Sequence, residues 1–306
     1  MPRIGGFSFA KAFFISIAQR HFWSCNTSKK CRYANSSRHE HSAIRDFKPR
    51  CAEWANKKVS APKRPGQTER TEDMKTVIID SRAGKDIERA LEGLGFSVLQ
   101  LSPCPALPEA ISAHPDTLIY KLKSGKLLMT EEYYRQNRNI FDSRGIGVRL
   151  TDKPLGDRYP LDIQLNALRI SDIVYGRSDC ISDIILSEEE GAKKVVHVKQ
   201  GYARCSVAAL SDKAAITADS GLAAALEANG VAVLRISPGS IILNGYDYGF
   251  IGGAGGLLSP GVYAFFGKIK AHPEGELLAC FAERNNVRIV ELSNEPLHDY
   301  GGLIVL

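Results

Sequence analysis

The same order of hydrophobic and polar positions recurs five times between residues 76 and 306. Residues 90–103 (ALEGLGFSVLQLSP) and 225–238 (ALEANGVAVLRISP) align without a gap. In both, a stretch rich in Ala, Leu and Glu predicts a helix that ends at a glycine, and alternating apolar residues then predict a strand. Weaker copies occur elsewhere, which makes five predicted helix stops: Gly95, Gly145, Gly191, Gly230 and Asn286.

The intervals between these helix stops have room for two further short strands. Strands are predicted at residues 205–210 and 214–218, ahead of the helix that leads to Gly230. Another pair is predicted at residues 164–170 and 172–175, ahead of a helix that ends near Glu190. Each repeat therefore predicts a unit of strand, strand, helix and strand, so the fold class is α/β.

The two ends of the repeat array complement each other. Only one strand, residues 76–80, precedes the first helix, whereas the chain finishes with an unaccompanied apolar strand at residues 302–306. If the last strand pairs into the first unit, the array closes and no sheet edge is exposed there. We therefore predict a closed propeller of five ββαβ units, with the C-terminal strand closing the ring.

The charge of the chain is divided unevenly between its two parts. The net charge is +6, but residues 1–73 hold 15 Lys and Arg against 6 Asp and Glu, or +9. Residues 74–306 hold the remaining 25 basic and 28 acidic side chains, or −3. The repeat array is mildly acidic, so its composition predicts no nucleic-acid partner.

Residues 1–73 show no sustained amphipathic periodicity and are predicted to be disordered. Two other interpretations are a basic arm and a targeting segment on the apolar stretch 7–18, which Lys11 interrupts. A third is that the segment results from an upstream start codon, because a strand follows directly after Met74. Residues 74–306 are predicted to form a single domain.

Cysteine spacing and hydropathy limit which metal sites, membrane partners and cellular settings are predicted. The seven cysteines form no CxxC pair and the histidines are scattered, so no metal site and no cofactor are predicted. Residues 74–306 contain no apolar run near 20 residues, which predicts no membrane partner. The expected setting is soluble, reducing and cytoplasmic. The oligomeric state is left open.

The repeat number, the repeat order and two Gly-rich runs carry a family resemblance. The runs are residues 246–254 (YDYGFIGGA) and 299–302 (DYGG). Together with the five units, they resemble the guanidine-modifying enzymes, the superfamily of arginine deiminases, dimethylarginine hydrolases and amidinotransferases, whose fold is called a pentein. More specifically, the chain is similar to an uncharacterised bacterial branch with this fold, a domain of unknown function.

The resemblance implies a site on the ring axis, where loops of all five units converge. Family enzymes bind a guanidinium there through acidic side chains, and a cysteine thiolate attacks its carbon while a histidine transfers protons. Their nucleophile commonly lies three residues beyond a paired glycine near the C-terminus. Counted from Gly301 and Gly302, that position is Val305, which cannot act as a nucleophile.

Two residues are candidates for the missing catalytic groups. Cys205 follows Arg204, whose charge could lower the pKa of the thiol, although a small buried strand residue is the alternative interpretation. His298, beside Asp299 in the closing C-terminal loop, is the histidine favoured for function. His114 and His272 each precede a proline and an acid, which indicates capping and turn roles.

The remaining candidates are ligand contacts at the predicted axis. Asn244 and Asp247 interrupt apolar sequence in a loop expected to face it. Asp162 and Asn166 alternate with apolar residues and are predicted to share one face of a strand, with solvent exposure as the alternative. With Asp299 and Arg204 they are typical of a zwitterion site, the acids binding a cationic group and the arginine a carboxylate.

The glycine-rich run at residues 249–256 has a steric interpretation. It lacks the Lys and Ser or Thr of a phosphate-binding P-loop, and no helix follows it. Its glycines are predicted to allow close backbone approach at the axis or a bulge.

Two classes of function remain open on the sequence. The first is a protein that binds a small guanidino or amino-acid-like ligand at the axis, as an enzyme or a degenerate enzyme. The second is a non-catalytic interaction or structural domain without small-molecule chemistry.

Overall fold

The computed structural model describes residues 74–188 and 194–306. The predictions for residues 1–73, for a helix end near Glu190 and for a helix stop at Gly191 lie outside the described residues. Within the described ranges, no helix is long and apolar enough to cross a membrane.

The described residues form fifteen short strands. They are β1 (Thr76–Asp80), β2 (Ser97–Leu101), β3 (Tyr120–Lys121), β4 (Leu127–Met129), β5 (Val148–Leu150), β6 (Leu168–Ile170), β7 (Ile173–Gly176), β8 (Lys194–His197), β9 (Val207–Ser211), β10 (Ala214–Thr217), β11 (Ala232–Arg235), β12 (Gly255–Ser259), β13 (Val262–Phe265), β14 (Arg288–Glu291) and β15 (Ile304–Val305).

Six α-helices lie between these strands in the described ranges. They are α1 (Lys85–Gly93), α2 (Pro115–Leu118), α3 (Glu131–Ser143), α4 (Asp183–Glu188), α5 (Ser220–Glu227) and α6 (Gly275–Arg284). Short 3₁₀ turns cover Glu109–Ile111 and Ile269–Ala271. Side chains cap two of the longer helices, since Thr130 accepts from the Tyr133 N–H and Asp219 from the Leu222 N–H.

The strands form five separate three-stranded sheets, so the fold is mixed α/β. In each sheet the middle strand pairs antiparallel with one neighbour and parallel with the other. One α-helix leads from each middle strand to its parallel partner, as a parallel pair requires. The predicted unit of strand, strand, helix and strand is confirmed. We call β15, β3, β6, β9 and β12 the first strands, because each is the antiparallel member of its sheet.

The C-terminal strand β15 pairs with β1, as predicted. Val305 lies opposite Val77 and Ile304 opposite Ile78, in antiparallel register. The Leu306 N–H also donates to the Thr76 carbonyl over 2.8 Å. The first sheet therefore takes strands from both ends of the repeat array.

Four of the five predicted helix stops lie in the described ranges, and each has a positive φ. The values are 89° at Gly95, 63° at Gly145, 82° at Gly230 and 57° at Asn286. Glycine adopts this left-handed conformation without a Cβ clash, and Asn tolerates it better than most residues. The periodic glycines of the sequence thus correspond to the periodic helix ends of the fold.

The strand predicted at residues 164–170 is shorter than expected. β6 begins at Leu168, and Asp162 and Asn166 lie before it in a turn-rich segment. Both side chains are nevertheless buried, at 2% and 0% exposure. The alternation predicted a strand because local sequence does not reveal that the polar side chains bond across the fold to Tyr202, Arg204 and Cys205.

Apolar side chains from the sheets and the helices pack against one another in the core. In β1, Val77, Ile78 and Ile79 are fully buried, with Val77 and Ile79 in one core cluster and Ile78 in another. A strand buried on both faces fits the continuous apolar run of this segment.

Candidate functional site

The first strands of all five sheets contribute residues to one cavity of about 240 Å³, which we call the central cavity. Its lining includes Lys121 from β3, Arg169 from β6, Ala209 from β9, Leu257 from β12 and Val305 from β15. No other cavity described here receives residues from all five repeats. The position predicted for a nucleophile, Val305, is a wall residue of this cavity.

Three cationic side chains line the central cavity: Lys121, Arg169 and Arg204. Among the residues of the described ranges that line it, there is no Asp or Glu. The Lys121 Nζ donates to the Val305 carbonyl over 2.7 Å, and an Arg204 Nη2 donates to the Leu303 carbonyl over 3.2 Å. Burial lowers the pKa of Lys121, and the charges of Arg169 and Lys75 lower it further.

A group of buried polar residues borders the cavity at Arg204. Its members lie at the end of β1, at α2 and in the loops before three first strands, and none is more than 4% exposed; they are Asp80, His114, Asp116, Asn166, Cys205 and Asp299. We call this group the buried polar cluster. The charge of Arg204 acts on Asp116, so the cavity and the cluster are electrostatically connected.

Cys205 lies in the middle of one half of the cluster. Its Sγ donates to Asp116 Oδ2 over 2.7 Å and accepts from Asn166 Nδ2 over 3.1 Å. Burial raises the pKa of the thiol well above its usual value, and the adjacent carboxylates raise it further. Because a thiolate is the nucleophilic form, this environment keeps Cys205 protonated and unreactive. Arg204 does not offset these effects.

Asn166 connects three segments of the chain. Its side-chain oxygen accepts from the main-chain N–H groups of Arg204 (2.9 Å) and Cys205 (3.3 Å). Its Nδ2 donates to the Asp116 carbonyl over 3.2 Å as well as to the sulfur. Every polar atom of this amide is therefore used inside the protein, which makes Asn166 a residue that holds the cluster together.

The other half of the cluster consists of His114 and two acidic side chains close to it, Asp80 and Asp299. The His114 Nδ1 lies 3.8 Å from Asp299 Oδ1, and the His114 Nε2 lies 3.9 Å from Asp80 Oδ2. Both distances exceed hydrogen-bond length. Burial, followed by the charge of Arg82, lowers the pKa of His114 to about 3, so the imidazole is neutral at pH 7.

The three cluster carboxylates already have partners within the chain. Asp80 accepts hydrogen bonds from the Arg82 guanidinium, whose Nε lies 2.9 Å from Oδ1 and 3.2 Å from Oδ2. Asp299 accepts from the main-chain N–H groups of Phe250 (2.8 Å) and Gly301 (2.9 Å). Burial raises the pKa of Asp116 to about 6 and that of Asp299 to about 7.

The glycine-rich run packs against this cluster without side chains. A Cβ on Gly252 would lie 2.4 Å from two main-chain oxygens, those of Arg204 and Val207, and 2.6 Å from that of Cys205. A Cβ on Gly253 would lie 1.9 Å from Asp299 Oδ1. The predicted steric role of the run, close backbone approach, is therefore confirmed.

The sequence-predicted ligand residues separate into two regions. Asn166, Arg204, Cys205 and Asp299 converge at the cavity and the cluster. Asp162 is also buried, and its Oδ2 accepts from the Tyr202 hydroxyl over 2.7 Å. These segments meet because each leads into a first strand.

Three other candidates lie away from this convergence. Asn244 and Asp247 are exposed and line a separate cavity of about 500 Å³, with no residue in common with the central cavity. His298 is half-buried and stacks on Tyr300, with ring centroids 5.4 Å apart. All residues from 239 to 247 line this second cavity.

Five residues of the site were not selected from the sequence: Asp80, His114, Asp116, Lys121 and Arg169. His114 is the N-cap residue of α2, in agreement with its predicted capping position, but its side chain makes no cap hydrogen bond. Lys121 and Arg169 lie on strands, where a polar residue between apolar ones ordinarily indicates a solvent face. The repeat itself is the signal that could have found them, because both lie on first strands.

Cys205 is expected to resist alkylation in the folded protein. Its sulfur is buried and its pKa is raised, whereas Cys180 is partly exposed and provides an internal comparison. Iodoacetamide should modify Cys180 under native conditions and Cys205 only after unfolding, as measured by mass spectrometry of the separated peptides. Equal native rates for the two thiols would contradict the described burial.

Known structures and a family profile match much of this chain. Among solved structures, an amidinotransferase of the saxitoxin biosynthetic pathway from Microseira wollei is similar at 9% identity and a TM-score of 0.47, over 72% of this chain and 77% of that chain. Agmatine deiminase from C. jejuni is similar at 10% identity and a TM-score of 0.44, over 71% of this chain and 75% of that chain. A search of curated proteins found no match. The profile of DUF6873, a family of unknown function, matches residues 78–304, and the chain belongs to that family.

Proposed function

We propose that this protein binds a small carboxylate-bearing ligand, of the amino-acid-like class, in the central cavity and does not catalyse a reaction there. The observation that carries the proposal is the presence of Lys121, Arg169 and Arg204 in one cavity that residues from all five first strands line. Ligand pockets are concave and carry a few polar groups that orient the ligand.

The proposal includes a closed ring of five units around the cavity. It is supported by the pairing of β15 with β1, which joins the two ends of the repeat array. Further support comes from contacts between neighbouring first strands, since β9 contacts β6 and β12, and β12 contacts β15. A ring places the first strands around one axis, where their side chains converge on a ligand.

Charge favours a carboxylate over a guanidinium as the group that the protein recognises. A guanidinium needs carboxylate acceptors, but Asp80, Asp116 and Asp299 are buried and already accept hydrogen bonds within the chain. In contrast, the cavity itself presents cations. A guanidino group on the ligand would thus be tolerated without being the group that determines affinity.

The chemistry of the cluster favours binding over catalysis. Val305 occupies the position where a nucleophile was sought, and it pairs in β15 with Val77. Cys205 is buried, its thiol donates a hydrogen bond to Asp116, and its pKa is raised. Neither residue provides a thiolate at neutral pH, so covalent catalysis has no nucleophile at these two positions.

Arginine and agmatine provide a matched pair of ligands for a test. They share the guanidino group, but agmatine lacks the carboxylate. A ligand that binds only the native state raises Tm. We expect arginine, citrulline or creatine to raise the Tm of the full chain, and agmatine to have no effect. Arg204→Gln should abolish the shift, whereas the control Arg89→Gln, on the exposed face of α1, should retain it.

Other results would have clear consequences. A larger shift with agmatine than with arginine would show that acidic groups recognise the guanidinium, which contradicts a carboxylate site. No shift with any compound at millimolar concentration would reject small-ligand binding of this class. It would leave a non-catalytic interaction or structural domain as the function.

A further inference from the structure

We infer that Asn244 is a site of spontaneous deamidation, at which the Asn–Gly pair 244–245 loses ammonia and gains a carboxylate without an enzyme. The pair lies in the loop that lines the cavity of about 500 Å³, which we call the second cavity. The inference goes beyond the proposed function, because the second cavity and the central cavity have no residue in common. It rests on the free groups of this pair and on a comparison with another Asn–Gly pair of the chain.

The reaction needs only the side chain of one residue, the main-chain nitrogen of the next residue and water. The Gly245 nitrogen attacks the Asn244 Cγ and forms an N–Cγ bond. The Cγ–Nδ2 bond breaks, and Nδ2 leaves as ammonia with the proton from the Gly245 nitrogen. Water then opens the succinimide ring at either of its carbonyl groups, which gives aspartate or isoaspartate. One water is consumed and one ammonia is released, so no oxidant or reductant takes part.

A glycine after the asparagine makes this attack sterically accessible. Gly245 has no Cβ, and its φ of 89° lies in the left-handed region that few other residues adopt. A side chain there would crowd the main-chain nitrogen as it approaches the Asn244 Cγ. The chain contains two Asn–Gly pairs, residues 229–230 and 244–245, so both meet this requirement and only their surroundings differ.

Both reacting groups of the pair 244–245 are free. Asn244 is exposed, and within residues 74–188 and 194–306 neither its side chain nor the Gly245 N–H has a hydrogen-bond partner. The Tyr246 N–H donates to the Leu243 carbonyl over 3.1 Å, so Asn244 and Gly245 are the two central residues of a β-turn. The N–H between the central residues is not used to close such a turn, and it remains available for the reaction.

The base of the loop is held separately from this turn. The Ile242 N–H donates to the Leu297 carbonyl over 2.9 Å, and the Asp299 N–H donates to the Ile242 carbonyl over 2.8 Å. The reaction at Asn244 breaks neither of these hydrogen bonds. Exposed turns of small and polar residues are also the places where a chain tolerates change. Deamidation can therefore proceed in the folded protein.

The pair 229–230 has the same two residues, but their groups are already used. The Asn229 Nδ2 donates to the Ala225 carbonyl over 2.7 Å. The Gly230 N–H donates to the Glu227 carbonyl over 3.0 Å at the end of α5. The amide and the nitrogen must lose these hydrogen bonds before they can react with each other. The fold thus protects one Asn–Gly pair and leaves the other free.

Deamidation changes the charge of the second cavity. Asp247 is the only charged side chain among the described residues that line this cavity, and Asn244 lines it as well. Either product adds a carboxylate, so the lining changes from one negative charge to two. Isoaspartate also adds a methylene group to the main chain of the loop. The loop of an aged molecule is therefore more anionic than that of a newly made one, whereas the lining of the central cavity is unchanged.

The experiment is incubation of the full chain in mildly alkaline buffer, with mass spectrometry of its tryptic peptides at intervals. Cleavage after Arg235 places Asn229 and Asn244 in different peptides. We expect Asn244 to deamidate at least roughly tenfold faster than Asn229 in the native protein, because two ordinary hydrogen bonds hold the pair 229–230. In urea, where neither the turn nor the helix remains, the two pairs should deamidate at similar rates.

Asn244→Gln tests the assignment on the intact protein. The longer side chain of glutamine must close a larger ring, which forms more slowly. The acidic form that ion-exchange chromatography separates should therefore no longer accumulate. Asn229→Gln is the matched control, and it should accumulate the acidic form at the wild-type rate. The Tm of each variant establishes that it is folded.

Three results would overturn the inference. Equal rates for the two pairs in the native protein would show that their different hydrogen bonding does not control the reaction. An Asn244 that stays intact in the native protein but deamidates in urea would show that the turn protects it. An acidic form that persists in Asn244→Gln would place the reaction at another residue. Each of these results can be obtained whatever ligand the central cavity binds.

Discussion

Gly252→Ala is expected to destabilise the protein by about 3 kcal/mol, at the upper end of the range for overpacking. The new Cβ would lie 2.4–2.6 Å from the main-chain oxygens of Arg204, Cys205 and Val207. Side chains can rotate away from an added methyl group, but these are backbone atoms in a segment that Asn166 holds by two hydrogen bonds. Urea denaturation at 25 °C measures the loss, which is a large part of a typical stability of about 5–15 kcal/mol.

Gly93→Ala is the matched control for this substitution. Gly93 is exposed at the end of α1, has no positive φ, and an added Cβ would meet nothing within 4 Å. Alanine favours a helix over glycine by about 0.5–1 kcal/mol, so this variant should be as stable as the wild type or slightly more stable. A loss below about 1 kcal/mol for Gly252→Ala would show that the two backbone segments are not in close contact.

The stability of the protein is expected to fall as pH rises from 5 to 7. The folded-state pKa of Asp116 is about 6 and that of Asp299 is about 7, above the usual 3.8, so the folded state binds more protons than the unfolded state in this window. Each carboxyl therefore lowers the free energy of unfolding by up to about 1.4 kcal/mol per pH unit, until the pH exceeds its folded-state pKa.

Other buried groups change how steeply the free energy of unfolding falls with pH. The lowered pKa of His114, about 3, has the opposite sign: the unfolded state binds its proton up to pH 6.5, so stability rises with pH. The pKa of His272 is also lowered, whereas that of Asp162 is raised and adds to the effect of the carboxyls. Asp116 and Asp299 together outweigh His114, which leaves a net loss of roughly 1–2 kcal/mol between pH 5 and 7.

Asp116→Asn isolates the contribution of one carboxyl to this slope. The amide can accept from Cys205 and donate to Thr117, so it replaces the hydrogen bonds of the acid without titrating. The variant should lose about 1 kcal/mol less than the wild type between pH 5 and 7, measured by urea denaturation at both pH values. Asp247→Asn, at an exposed position, should keep the wild-type slope. A variant slope equal to that of the wild type would mean that Asp116 is ionised throughout this range.

The secondary structure was predictable where local signals recur. The strand expected at residues 76–80 is β1 without a shift, and the helix expected from Ser220 is α5. The glycines at the helix ends determine where each helix stops, because left-handed backbone excludes most other residues. The segment before β6 was less predictable, because its alternating polar residues bond to distant segments and do not continue the strand.

The composition of the site was predictable in part. Asn166, Arg204, Cys205 and Asp299 were predicted as site residues, and the fold brings their segments together. Lys121 and Arg169 gave no local signal, since a basic residue beside apolar ones in a strand has the same local pattern whether it faces solvent or a cavity. Asn244 and Asp247 had the same kind of local pattern as Asn166 but lie in another cavity.

The sequence by itself determined the unit, its number of copies, the helix ends and the pairing of the last strand with the first, because each depends on local periodicity or on an unpaired edge. The tertiary structure decided which faces of the first strands meet. It thereby placed Lys121, Arg169 and Arg204, which are far apart in the sequence, around one cavity. It also buried Cys205 against Asp116. Those properties depend on contacts between segments far apart along the chain, such as Lys121 and Val305, which are 184 residues apart, and no local pattern records them. Burial and charge, which arise only after these segments meet, then determine which groups ionise and which ligand the cavity can accept.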